Sequence, residues 1–281
     1  MKTQLKPLLI LMLFVYTAGN SFAQVFNPGD YRDGVYDKQN AINKNYISQT
    51  NLREADLLWS KRVWREIDMR EKINQPLYYP VDRVNGRISL IQLLQDYILT
   101  DKIIAFSDEE FMKPMTKDEI RRKLVDCDSI TTTEATEDGY EREVKVLACD
   151  STSIYRQIRK YRLKEDWFFD KQKSTMEVRT VGIGVFTYDE DKEADRELFW
   201  VYFPACRPYF ANHEVFNIKN DAERRTFDDI FWKRQFNSTI VKESNVYDRG
   251  VNEYAKGIDA LLESDRIKDD IFKTEHDLWN F

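Results

Sequence analysis

Four acidic residues, Asp189, Asp191, Glu193 and Asp195, alternate as the ligands of a calcium loop do. Such a loop needs Gly at its sixth position and a bidentate Glu at its twelfth, and the chain supplies Ala194 and Trp200 there. The run therefore predicts a solvated, charged hairpin tip. Zinc is equally poorly served, because His213 and His276 are the only histidines and neither belongs to a helical pair. Cys206, in Pro204-Ala205-Cys206-Arg207-Pro208, is the most nucleophile-like residue: an adjacent Arg can lower a thiol pKa, and His213 follows closely. The opposing reading, which we prefer, is a kinked strand end whose prolines bracket a small residue. Gly182 and Gly184 precede a strand-like run, Val185 to Tyr188, where a phosphate loop would open a helix, so they predict close packing or a bulge. Paired carboxylates could hydrolyse glycans, but among 49 acidic residues no pair is marked out by spacing. The sequence nominates no catalytic residue, no cofactor and no metal.

Charge narrows the remaining classes. A formal net charge of −6, with 33% charged residues, argues against nucleic acid and against an anionic membrane surface. The densest basic run, Arg121-Arg122-Lys123, lies beside Asp118, Glu119 and Asp126 and reads as a solvated helix face. Aromatics make up 14% of the chain. Many rings on a heavily charged scaffold suit a polar interface with buried ring anchors. The alternatives are a carboxylate-dependent glycan hydrolase, which needs a concave aromatic cleft, and a periplasmic glycan-binding module, which needs exposed coplanar rings along a groove.

Residues 1–23 have the physics of a signal peptide: Lys2 and Lys6, an apolar run from Pro7 to Ala18, and Ser21-Phe22-Ala23 before Gln24. The apolar run is too short to span a bilayer. Residues 24–50 predict an extended arm, either held as a strap or disordered. Residues 51–281 predict a single α+β domain, with antiparallel hairpins packed against several helices and a helical C-terminal region.

Within that domain, Trp59, Val63 and Ile67 recur four apart and predict a helix that Pro76 ends, with Leu77-Tyr78-Tyr79-Pro80 extended after it. That aromatic stripe is either core or partner interface. We expect at least part of Trp59, Trp64, Arg65, Arg70, Tyr78 and Tyr79 to face a partner, with Trp232 and Trp279 offering further surface. Ser89 caps a helix bearing Leu90, Leu93, Leu94, Tyr97 and Ile98, a short strand covers Ile103 to Phe106, and Thr116 with Glu119 opens a helix to about Val125. A Thr-rich hairpin turns at Asp138-Gly139. If its loop is Glu137-Asp138-Gly139, Cys127 faces Cys149, and an oxidising compartment would join them, leaving Cys206 unpaired. A two-residue Asp-Gly turn would instead place Asp128 opposite Cys149. Helical spacing follows over Ser151 to Leu163, then strands over Met176 to Tyr188 and Leu198 to Phe203. Further on, the pattern gives a helix from Phe227 to Phe236, a strand at Ser238 to Val241, and helices over Val251 to Leu262 and Ile267 to Trp279.

Two blocks carry a family likeness. The run WREIDMREKINQPLYYP and the run RTFDDIFWKRQFNSTIVKESNVYDRGVNEYAKGIDALLESDRIKDDIFKTEHDLW resemble GldN/PorN, a gliding motility and type IX secretion component of Bacteroidetes. The resemblance implies a structural protein with no catalytic residues, forming a periplasmic ring with the GldK/PorK outer-membrane lipoprotein and with other copies of itself. It further implies contact with the periplasmic part of the GldM/PorM motor. Nothing in the chain suggests direct membrane insertion, so the lipoprotein would supply the attachment to the outer membrane.

Overall fold

The computed structural model describes residues 44–84, 86–124, 126–135, 141–150, 153–189, 194–217, 219–220 and 222–278, with side chains left undescribed in the hairpin of residues 126–150. Residues Ala41–Phe281 form one compact unit. The expected signal peptide, most of the arm, the Asp138-Gly139 turn, the tip of the acidic loop and Trp279 lie outside the described residues. In chain order the first half comprises β1 (Leu57–Asp68), α1 (Gln75–Tyr78), α2 (Leu90–Leu99), β2 (Ala105–Phe106), α3 (Lys117–Leu124), β3 (Asp126–Ala135), β4 (Glu141–Asp150), α4 (Ser153–Gln157) and β5 (Ile158–Asp170). There follow β6 (Thr175–Asp189), β7 (Ala194–Tyr202), α5 (Phe203–Phe210), β8 (Glu214–Val215), β9 (Arg225–Thr226), α6 (Phe227–Trp232), β10 (Thr239–Glu243), α7 (Val251–Tyr254) and α8 (Ile258–Leu278). The fold is α+β: a 6-stranded antiparallel sheet, ordered β10-β1-β5-β6-β7-β2, packed with helices.

The expected anchor helix is a strand. Trp59, Val63 and Ile67 are spaced by four, which returns a side chain to one face of a strand as readily as of a helix, so that spacing alone does not choose. What misled the pattern is that β1 is covered on both faces at its second half: Val63 and Trp64 are adjacent and both buried, as are Glu66 and Ile67. A strand buried on both sides loses the alternation that marks a half-exposed one. Pro76, expected to end a helix, instead begins α1, where its missing N–H costs nothing. The predicted helix over Ser151 to Leu163 is likewise α4 followed by β5, whose Ile158, Tyr161 and Leu163 are all buried.

One sheet face carries the main core. Ile67, Tyr161, Leu163, Ile183, Val185, Phe199 and Val201 lie under α2, α3, α5 and α6. α2 stands where Ser89 predicted it, with the Ser89 N–H donating to Gln92 Oε1, and the Thr116–Glu119 capping box opens α3. Towards the β10 edge, Val63 and Ile240 pack with Val251 of α7 and with Ile267 and Ile271 of α8. Edge strands leave backbone groups unpaired; here the Ile240 N–H donates to Ser264 Oγ of α8 at 2.8 Å. α8 therefore blunts the edge as well as burying it. It is one continuous helix, where separate segments ending at Leu262 and starting at Ile267 were expected.

Candidate functional site

The opposite sheet face holds rings interleaved with ion pairs. Across β1, β5 and β6 the register sets Arg62, Asp166 and Arg179 in one row, and Glu66, Arg162 and Gly184 in another. Arg62 binds Asp166 in fork geometry, Nε to Oδ1 at 2.6 Å and Nη2 to Oδ2 at 2.9 Å. Glu66 faces Lys160 at 3.3 Å and Arg162 at 3.6 Å, and Lys160 also reaches Asp195 at 2.7 Å. Trp64, Phe186 and Trp200 form a small cluster between these charges, covered by Phe106 and Phe111. Lys242 sits 4.6 Å from the Trp64 ring and Arg162 lies 4.4 Å from that of Phe186. Gly182 and Gly184 make this packing possible: a Cβ on Gly182 would lie 2.5 Å from Phe111, and one on Gly184 2.7 Å from the Trp200 ring. The close-packing expectation for the two glycines is met.

For acid–base chemistry the face offers little. Asp166, Glu66 and Asp195 are each held by a cation. Burial pushes the Glu197 carboxyl up, against Arg162 and Lys123. A hydrolase pair needs a second carboxylate poised across a cleft, and these partners are already bound. Among the described residues no group of three or more His, Cys, Asp or Glu could hold a metal.

Cys206 is no strand end. It lies inside α5, fully buried, its Sγ–H directed at the Tyr202 carbonyl at 3.3 Å, and burial pushes its thiol well up. Thiolate chemistry is thereby suppressed. Its neighbour Arg207 is committed to the buried Asp228 through two hydrogen bonds, of 2.8 and 3.2 Å. His213 Nδ1 donates to the Tyr209 carbonyl at 2.9 Å, and the ring abuts that of Tyr97.

The described end of the arm is a strap. Lys44 pairs with Asp229, Tyr46 lies 4.9 Å from Arg207, and Thr50 receives hydrogen bonds from Arg179 and Lys173 at 2.7 and 2.9 Å. Trp232 stands 4.8 Å from Arg207 as well, so Tyr46 and Trp232 both stack on one guanidinium. The strap walls a groove of about 700 Å³ with Arg62, Trp64, Asp166 and Phe168 and a second one of about 500 Å³ with Lys173 and Trp232. Sequence reasoning did not find the Tyr46–Arg207 contact, because an isolated Tyr in a polar segment carries no periodic signal.

The residues expected at a partner interface scatter. Trp64 is 6% exposed and belongs to the sheet-face cluster, which removes it as a surface anchor. Trp59 is half-buried against the cluster under α8. Arg65 is tied to Ser238, Arg70 to Asp68, and Tyr78 packs on the core with its hydroxyl on the Arg156 carbonyl. Tyr79, 53% exposed, and Trp232, 44% exposed, remain available. Tyr79 lines a pocket of about 420 Å³ with Pro76, Pro80, Val84, Arg87 and Phe216. Further exposed apolar residues belong to the C-terminal region: Val246, Tyr247, Tyr254, Ile258, Leu261, Leu262 and Phe272 are all exposed.

The sequence profile described as gliding motility associated protein GldN matches residues 52–280. The chain belongs to the GldN family. It is thus a gliding-motility-associated protein, and the GldN match runs from just before β1 through α8, taking in the sheet, its covering helices and the exposed C-terminal surface. The strap contacts of Lys44, Tyr46 and Thr50 precede the GldN-matched residues. No curated protein matches the chain. In this GldN-family chain no described helix is long and apolar enough to cross a membrane.

Proposed function

We propose that the chain is a structural, non-catalytic component of the type IX secretion and gliding machinery, built into a periplasmic ring with a GldK/PorK-type outer-membrane lipoprotein and with further copies of itself. Membership of the GldN family over residues 52–280 carries this reading. Two physical features support it. The carboxylates of the open sheet face are bound by cations, and the conspicuous unburied resource of the chain is apolar surface, which a soluble monomer has no use for. Contact with a GldM/PorM-type motor protein fits the same surface economy. Export rests on the signal-like residues 1–23, and the protein reaches the outer membrane through its lipoprotein partner. Fractionation of cells with and without that lipoprotein tests the reading. The protein is expected to sediment with outer membranes when the lipoprotein is present and to become soluble or degraded when it is absent. Membrane association that persists unchanged without the lipoprotein overturns it.

A further inference from the structure

The face of α8 turned away from the sheet is apolar and acidic at once. Ser264, Ile267 and Ile271 point inward. On the other side Leu261 and Phe272 lie eleven residues apart, about three turns, so they share a face, and Ile258 with Leu262 extends it by one turn. These four are 75% (Ile258), 54% (Leu261), 61% (Leu262) and 67% (Phe272) exposed. A helix that needs only one buried stripe has no internal reason for a second apolar one.

Charge identifies what would cover it. α8 carries seven acids, Asp259, Glu263, Asp265, Asp269, Asp270, Glu275 and Asp277, against three bases, Arg266, Lys268 and Lys273. Arg266 is consumed by Glu263 and Asp270, and Lys268 by Asp265. Among the described residues Asp259, Asp269 and Glu275 have no cation. Glu275 and Asp277 stand in the last turn, where the helix dipole disfavours negative charge, so the acids do not serve the helix itself. Two copies of this face would bring like charges together, which weighs against α8 pairing with α8. An anionic lipid surface would be repelled for the same reason.

We infer that the outer face of α8 docks a protein partner that presents an apolar seam flanked by Lys and Arg, the complement of Leu261, Phe272 and their acidic neighbours. This goes beyond the ring reading, since it specifies the surface and the chemistry of its occupant and does not depend on which protein supplies it.

The test uses the purified full chain and two labelled helical peptides as long as α8, one with Leu on one face and Lys elsewhere, the other with Glu in place of Lys. Fluorescence anisotropy is expected to show saturable binding of the Leu/Lys peptide and none of the Leu/Glu peptide. The double variant L261D/F272D should weaken binding at least tenfold while keeping the wild-type circular dichroism, because both side chains are exposed. The charge reversal D265K/D269K, which leaves the apolar residues in place, should exchange the preference for the two peptides. Equal binding of the Leu/Lys peptide to wild type and to L261D/F272D, or an unchanged preference after charge reversal, overturns the inference. So does a concentration-dependent dimer in sedimentation that L261D/F272D abolishes, since a second copy would then be the occupant.

Discussion

Arg207 meets Asp228 side-on, Nε on Oδ1 at 2.8 Å and Nη2 on Oδ2 at 3.2 Å, with the two side chains 3% and 10% exposed. This pair joins α5 to α6 beneath the strap, and the same guanidinium receives the Tyr46 and Trp232 rings. Removing one member of a buried pair strands the other charge, at a cost of about 3–5 kcal/mol. Arg207→Leu should therefore lower the denaturant midpoint steeply. Replacing both, R207L with D228L, should recover much of the loss. A single variant as stable as wild type would show that the pair is not buried in solution.

The strap should be releasable without unfolding the domain. Tyr46→Ala removes a partly exposed ring contact worth about 0.5–1 kcal/mol and leaves the core untouched. Limited proteolysis should cut between Lys44 and Asp56 faster in this variant, with the global unfolding transition unmoved.

A pH dependence follows from the strap's first contact. Burial pushes the Asp229 carboxyl up, but the Lys44 ammonium and the Thr226 N–H and hydroxyl outweigh it, so Asp229 sits below the usual carboxylate range. A carboxyl depressed in the folded state contributes stability that is complete above its unfolded value, about pH 4, and is lost as pH falls through the lower folded value. Proteolytic protection of the strap should hold at neutral pH and weaken below about pH 4. Lys44→Met, which removes the partner that ties the strap to Asp229, should lower protection at neutral pH and flatten its dependence on pH. An acid-stable protease active on both sides of this range gives the measurement.

The two sheet glycines should differ in tolerance. At Gly184 a Cβ would enter the ring of Trp200, which is 1% exposed and has nowhere to move, whereas at Gly182 it would meet Phe111, a half-buried residue of a loop. Gly184→Ala is expected to cost about 1–3 kcal/mol, and Gly182→Ala less. Thermal unfolding of both variants, with tryptophan emission reporting on Trp200, checks the order.

Cysteine chemistry gives a further test. β3 and β4 pair with Cys127 opposite Cys149, the register expected of a three-residue loop and not of a two-residue turn; the thiols themselves lie outside the described side chains. Given an oxidising compartment, their disulfide would stabilise the hairpin by roughly 3 kcal/mol on the loop-entropy relation. Cys206, buried inside α5, should resist thiol reagents until the protein is denatured. Non-reducing peptide mapping that finds Cys127 and Cys149 both free, or either joined to Cys206, counts against the pairing.

Local features of the fold are legible in the sequence. The capping boxes at Ser89 and Thr116 are local: a side chain and a backbone N–H three residues away settle them, so the helices they open were found. The hairpin β3–β4 was found because its alternation and turn residues are adjacent in sequence. The prolines around Cys206 were read as bracketing a kinked strand end, and the segment proved to be helix.

By itself the sequence determined the α+β class and the family. Only the tertiary structure decided that Trp59 to Ile67 is a strand, because helices on one face and the Phe111 loop on the other bury neighbouring residues alike and erase the period that separates strand from helix. It alone decided, too, that Trp64 turns inward while Phe272 turns out. Which face of a helix or strand meets water depends on what else packs there, and for α8 that is set by an edge strand whose unpaired N–H needed Ser264.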